Sequence, residues 1–213
     1  MRASVMHFKT IAITTVASVL LGCSGGTNLS FQSDADVYRL QDLEYYGDLI
    51  EAYKVKTGTY PFLDEAQDLP VYSVIASPEQ IDDVQALPFR HISKSPTQFF
   101  QEIEAKLGRA VDERYDPQFE PDRKPNFYIY KAGGEGYFFA VHISQPYGFA
   151  QAVGPGYNKV EISNVAGGDN YASSPKSLFA HPSFRAAVEA PVAKPGFFDQ
   201  RRSQYSDSYP TLP

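Results

Sequence analysis

Between Asp36 and Pro61 the chain carries an apolar stripe that stops abruptly. Val37, Leu40, Leu43, Tyr46, Ile50 and Tyr53 recur at steps of three or four, the spacing of one buried helical face. Ser33, Asp34 or Asp36 supplies a short side-chain oxygen to cap the free N–H groups of a first turn there. Lys54 and Lys56 suit the negative end of the helix dipole. Gly58 permits the left-handed residue that closes a helix, and Pro61 cannot continue one. From Asp36 to Thr57 such a helix would run about 33 Å at 1.5 Å per residue. A rod of that length needs a broad apolar surface to lie on.

The chain offers one further along. Phe127–Lys131 and Tyr137–Ile143 are aromatic and β-branched runs on either side of Ala132-Gly133-Gly134-Glu135-Gly136, which reads as a hairpin with a five-residue turn. Tyr157–Ser163 follows the Gly154-Pro155-Gly156 turn as a third strand. Alternation then assigns Phe127, Ile129, Phe139, Val141, Ile143, Val160 and Ile162 to the face that receives the helix. It assigns Tyr128, Tyr130, Phe138, His142, Lys159 and Glu161 to the other. Val71–Ala76 is a further short strand, and residues 77–94, broken by Pro78 and Pro88, read as irregular. Ser95-Pro96 opens a second helix whose face is Phe99, Phe100, Ile103 and Leu107, ended by Gly108. A short helical segment is expected around Phe184–Ala190, followed by an extended C-terminal tail. The fold class that results is α+β: a long N-terminal helix packed on a small antiparallel sheet, with a second short helix and that tail.

Ahead of the rod, Arg2 and Lys9 precede an apolar run, Ile11–Leu21, that is too short for the roughly 20 residues a bilayer-spanning helix takes. Leu20-Leu21-Gly22-Cys23 closes it and resembles the lipobox of bacterial lipoproteins. The resemblance implies that residues 1–22 are a removed signal peptide and that Cys23 is lipidated. Ser24, rather than Asp, after that cysteine implies the outer membrane, facing the periplasm. Residues 23–33 then read as a flexible tether and 34–213 as a single domain. Cys23 is the sole cysteine, which leaves no disulfide to stabilise the fold. Stability must come from apolar burial, for which 15 Tyr and 15 Phe, with no Trp, are the main supply. Without Arg2 and Lys9 the 19 basic residues fall to 17 against 25 acidic ones, a charge of −8. Such a chain is expected to bind no nucleic acid.

Ala52-Tyr53-Lys54-Val55-Lys56-Thr57-Gly58-Thr59-Tyr60-Pro61 resembles the end of the long helix in type IV pilins, above all the major pseudopilins of type II secretion. That family lays a long N-terminal helix across an antiparallel sheet, and the order helix, hairpin, third strand agrees with it. The chain departs from the family upstream, where a lipobox and a polar stretch stand in place of the apolar half-helix that drives filament assembly. The resemblance therefore implies a pilin-like domain without its assembly helix. Gly167-Gly168-Asp169-Asn170 is a thin echo of the pseudopilin calcium loop and lacks the several oxygen ligands calcium takes.

Little in the chain points to catalysis. His91, His142 and His181 stand far apart, with no second His or Cys at zinc spacing. No phosphate-cradling Gly-x-x-x-x-Gly-Lys loop occurs. The adjacent acids Asp64-Glu65, Asp82-Asp83 and Asp112-Glu113 read as solvated loop charges. The expectation is a non-enzymatic, cofactor-free envelope protein, held to the membrane by lipid on Cys23, that works through contacts with an envelope protein. An immunity or inhibitor lipoprotein that binds a toxic enzyme fits the same features. The candidate contact surface is Tyr128, Tyr130, Phe138 and His142 on the second sheet face, unless Phe184, Phe197 and Phe198 of the C-terminal segment cover it.

Overall fold

The large aromatic residues of this chain collect around one helix. The computed structural model describes residues 26–75, 89–117, 127–134, 136–154, 157–165 and 173–193, with side chains described from Asp34 onward. Residues 1–22, Cys23, the Gly167–Asn170 stretch, Phe197 and Phe198 lie outside the described residues. Helix α1 (Gly26–Thr57) closes as its sequence dictates, with Gly58 at φ 83° and its N–H on Lys54 O at 2.8 Å. Strands β1 (Val71–Ile75) and β2 (Ile92–Lys94) follow, then α2 (Pro96–Leu107). Next come β3 (Tyr128–Gly133), β4 (Gly136–Ile143), β5 (Gln151–Gly154) and β6 (Tyr157–Ser163). Two short helices, α3 (Pro175–Phe179) and α4 (Pro182–Val188), complete the described chain.

The architecture is α+β, with a sheet larger than the expected three-stranded meander and mixed rather than antiparallel. Its order is β2-β1-β3-β4-β6-β5, and β2 runs parallel to β1 while every other pair is antiparallel. The parallel edge comes from Ile92–Lys94, inside the stretch expected to be irregular. Three residues are too few to show a period, and Ile92 N–H on Pro70 O at 2.9 Å is what recruits them. Strand β5 and helix α3 are further elements that the sequence pattern did not disclose.

Helix α1 lies on the inner face of the sheet against β4, with α2 on one flank and α3 and α4 on the other. Val37, Leu40, Leu43, Tyr46, Ile50 and Tyr53 are all buried. Tyr46 is the hub: its ring centroid lies 4.9 Å from that of Phe139, 6.0 Å from Tyr128 and 6.2 Å from Phe100. Each such ring pair adds about 0.5–1.5 kcal/mol beyond the area it buries. Helix α2 is held by a full capping box, with Gln98 N–H on Ser95 Oγ at 3.1 Å and Ser95 N–H on Gln98 Oε1 at 2.9 Å. On the opposite flank α1 thins to Gly47, where an added Cβ would stand 2.7 Å from the Phe179 ring of α3. Among the described residues no helix is long and apolar enough to cross a membrane.

Two expectations fail here for identifiable reasons. Helix α1 already runs from Gly26, the first described residue, rather than from Asp36, so residues 26–33 of the stretch assigned to the tether are helical. Asp34 and Asp36 do not cap it, because they lie inside the helix, and their carboxylates instead accept from Ala193 N–H and from Ser144 and Gln145. The hairpin turn is two residues long, not five. Gly133 pairs with Gly136, and Gly134 sits at φ 61°, which glycine adopts without strain. Lys131 therefore faces Phe138 rather than Tyr137, and this one-residue change of register turns all of β3 over.

Candidate functional site

The inverted strand divides the four residues expected to form one surface. Tyr128 and Tyr130 face the helices and are fully buried, while Phe138 and His142 stay on the outer face. Ile129 is outside, not inside. Tyrosine had been read as polar, but here each hydroxyl finds a partner on the helix side. Tyr128 OH donates to Asp42 Oδ2 at 2.7 Å, Tyr130 OH to Pro61 O at 2.7 Å, and Tyr137 OH to Glu51 Oε1 at 3.1 Å. With its tip satisfied, a tyrosine ring is as good a core residue as phenylalanine. Phe184, expected to cover the outer face, is buried on the helix side against Phe149 and Phe179.

The densest ionic group in the fold lies beneath the N-terminal half of α1. Arg39 holds Asp116 through two bonds, Nε to Oδ2 at 2.7 Å and Nη2 to Oδ1 at 2.9 Å, and Asp36 Oδ1 through Nη1 at 2.9 Å. Asp36 also accepts from the Ser144 hydroxyl at 2.6 Å and from the backbone N–H groups of Ser144 and Gln145 at 2.9 Å each. Burial works against the charge on Arg39, but Asp116 and then Asp36 outweigh it and push its pKa up. Beside it Arg114 Nη1 lies 3.6 Å from Asp42, and Tyr46 OH bridges the backbone of Arg114, taking its N–H at 2.9 Å and donating to its carbonyl. These groups pin three separate segments together: α1, the loop after α2, and the loop after β4. Carboxylates this fully engaged are braces rather than reagents. Among the described residues no group of His, Cys, Asp and Glu is disposed to hold a metal ion.

The outer face is the part of the sheet that α1 does not cover, and register arranges it in rows. One row crosses Ser93, Tyr72, Lys131, Phe138 and Ser163, one residue from each of five strands. The next holds Val74, Ile129, Ala140 and Glu161, and a third has His142 beside Lys159 and Gln151. Lys131 Nζ lies over two rings, 5.6 Å from the centroid of Tyr72 and 5.5 Å from that of Phe138. Phe89 and His91 extend the first row past the sheet edge, with centroids 5.4 and 5.6 Å from Tyr72. Phe89 is 44% exposed. His142 is packed against Phe127, and its buried Nδ1 has no hydrogen-bond partner among the described residues. Burial lowers its pKa to about 4, helped by Lys159 and Arg39 and opposed by a backbone hydrogen bond to Phe127 and by Asp116.

Sequence reasoning missed Tyr72 and Lys131 as surface neighbours of Phe138, and Phe89 and His91 as neighbours of Tyr72. Tyr72 and Val74 alternate with Val71, Ser73 and Ile75, so their outward phase is visible in the strand itself. Lys131 and Phe89 needed the register and the parallel edge, neither of which composition encodes. Comparison with protein families, curated proteins and solved structures finds no match to this chain.

Proposed function

We propose that this chain is a lipid-anchored envelope protein whose pilin-like α+β domain acts through protein contacts rather than catalysis. The observation that carries the reading is Leu20-Leu21-Gly22-Cys23, placed just ahead of the helix on which the whole domain is built. The proposal assigns lipid to Cys23, removal of residues 1–22, and a location at the outer membrane facing the periplasm. The pilin-like part of the reading is supported by a long helix that ends in Tyr-Lys, leads through Gly58 to Tyr60-Pro61, and crosses the inner face of a sheet. Contact through the outer face is supported by the aromatic row that α1 leaves uncovered. Several acyl chains together would hold the domain at the membrane durably, where one alone would bind only marginally.

Detergent-phase partitioning and intact-mass measurement of the expressed protein test this. The wild-type chain should enter the detergent phase, start at Cys23 and carry acyl mass, while Cys23→Ser should remain aqueous and unprocessed. Ser24→Asp should move the protein to the inner membrane. A wild-type chain that is aqueous and free of acyl mass would overturn the anchor.

A further inference from the structure

The end of the aromatic row nearest β2 combines features that the fold itself does not use. Lys131 is cradled by Tyr72 and Phe138, and Arg90 is exposed in the chain between Phe89 and His91. Neither Arg90 nor Lys131 has an ion-pair partner among the described residues, whereas Lys94 is paired with Glu65 and Lys159 with Glu161. Two cations without an ion-pair partner among the described residues, one of them over two rings, stand out in a chain whose net charge is −6. Strand β2 is also an edge of the sheet. Since Ile92 N–H bonds toward Pro70, alternation turns the N–H and C=O of Ser93 off the sheet, where another main chain could meet them.

We infer that this corner is a docking surface for an acidic polypeptide segment bearing an apolar or aromatic residue beside its carboxylates. The inference rests on the proposed contact function and names the chemistry of the partner. Charge complementarity supplies the carboxylates' sites at Arg90 and Lys131, and the exposed ring of Phe89 supplies the apolar one. A short acidic segment meets mainly these local cations, because beyond a Debye length of about 8 Å the charge of the rest of the chain is screened. A continuous polyanion, whether nucleic acid, anionic glycan or anionic bilayer, would extend over the acidic remainder and be repelled by it. The free edge at Ser93 favours a polypeptide for a second reason, since its backbone offers the matching donor and acceptor.

The test is fluorescence anisotropy at about 0.15 M salt, where the 8 Å screening holds, using the full chain in non-ionic detergent and a fluorescein-labelled peptide of alternating glutamate and phenylalanine. Wild type should bind it, and a lysine–phenylalanine peptide should not bind. Lys131→Gln and Arg90→Gln should each weaken binding about threefold, as expected for exposed ion pairs, and together about tenfold. Phe89→Ser should weaken it as well, with thermal melting of all three variants close to wild type. Absence of binding by wild type, or equal binding by the double variant, would overturn the proposal. So would tighter binding of heparin than of the peptide. A chain that partitions into detergent through Cys23 yet ignores the peptide loses the docking surface and keeps the anchor.

Discussion

Asp116 closes a circuit that no single element could complete. It reaches Arg39 from the loop after α2, while Asp36 reaches the same guanidinium from one helical turn away. Asp116→Asn keeps the shape but removes one of the carboxylate charges that face a buried cation, and should cost about 3 kcal/mol. Urea denaturation checks this as a lower midpoint at unchanged slope. His142 makes a second residue-scale prediction. Its folded pKa of about 4 lies below the ordinary 6.5, so the unfolded chain binds its proton first as pH falls. Stability from this residue is therefore full above pH 6.5 and is lost on the way down to 4, by about 3 kcal/mol in all. Comparing the pH dependence of unfolding with that of His142→Asn isolates this slope, and a ring titrating near 6.5 in the folded protein would contradict it. Neither behaviour was legible in the sequence. Asp116 reads as one more loop acid, and a histidine in an alternating strand does not reveal whether its neighbours will bury it.

At the scale of elements, legibility followed how local the signal was. Ser95, Pro96, Gln98 and Gly108 act within one helix, and the boundaries of α2 followed from them. The phase of β3 depended instead on the number of residues in a glycine-rich turn that allows more than one closure. Gly133 and Gly136 joined the ladder instead of the loop, and every side chain of β3 changed sides. The tyrosine hydroxyls then decided in favour of that register, because Asp42 and Pro61 O were waiting for them. The docking of α3 was equally invisible, since it depends on what is missing at Gly47. Gly47→Ala should force the Phe179 ring or the helix to move and cost about 1–3 kcal/mol. Adding Phe179→Ala should cost less in that background than in wild type, a coupling that a double-mutant cycle measures.

For the molecule as a whole, one decision fixes both the core and the remaining surface: which side of the sheet the helix covers. The inner side takes Tyr46, Tyr128, Tyr130 and Phe139 into one aromatic core, and leaves Tyr72, Lys131 and Phe138 on the opposite face. The helix and its stopping point were visible from periodicity and from Gly58 and Pro61. The identity of the free face was not, because it depends on the turn. Ring-to-ring nuclear Overhauser effects in a sample labelled selectively at tyrosine and phenylalanine test the arrangement most directly. The account predicts contacts from Tyr46 to both Tyr128 and Phe139, together with a separate contact between Tyr72 and Phe138. Contacts from Phe127 to Tyr46, with Tyr128 and Tyr130 open to a soluble paramagnetic probe, would contradict it.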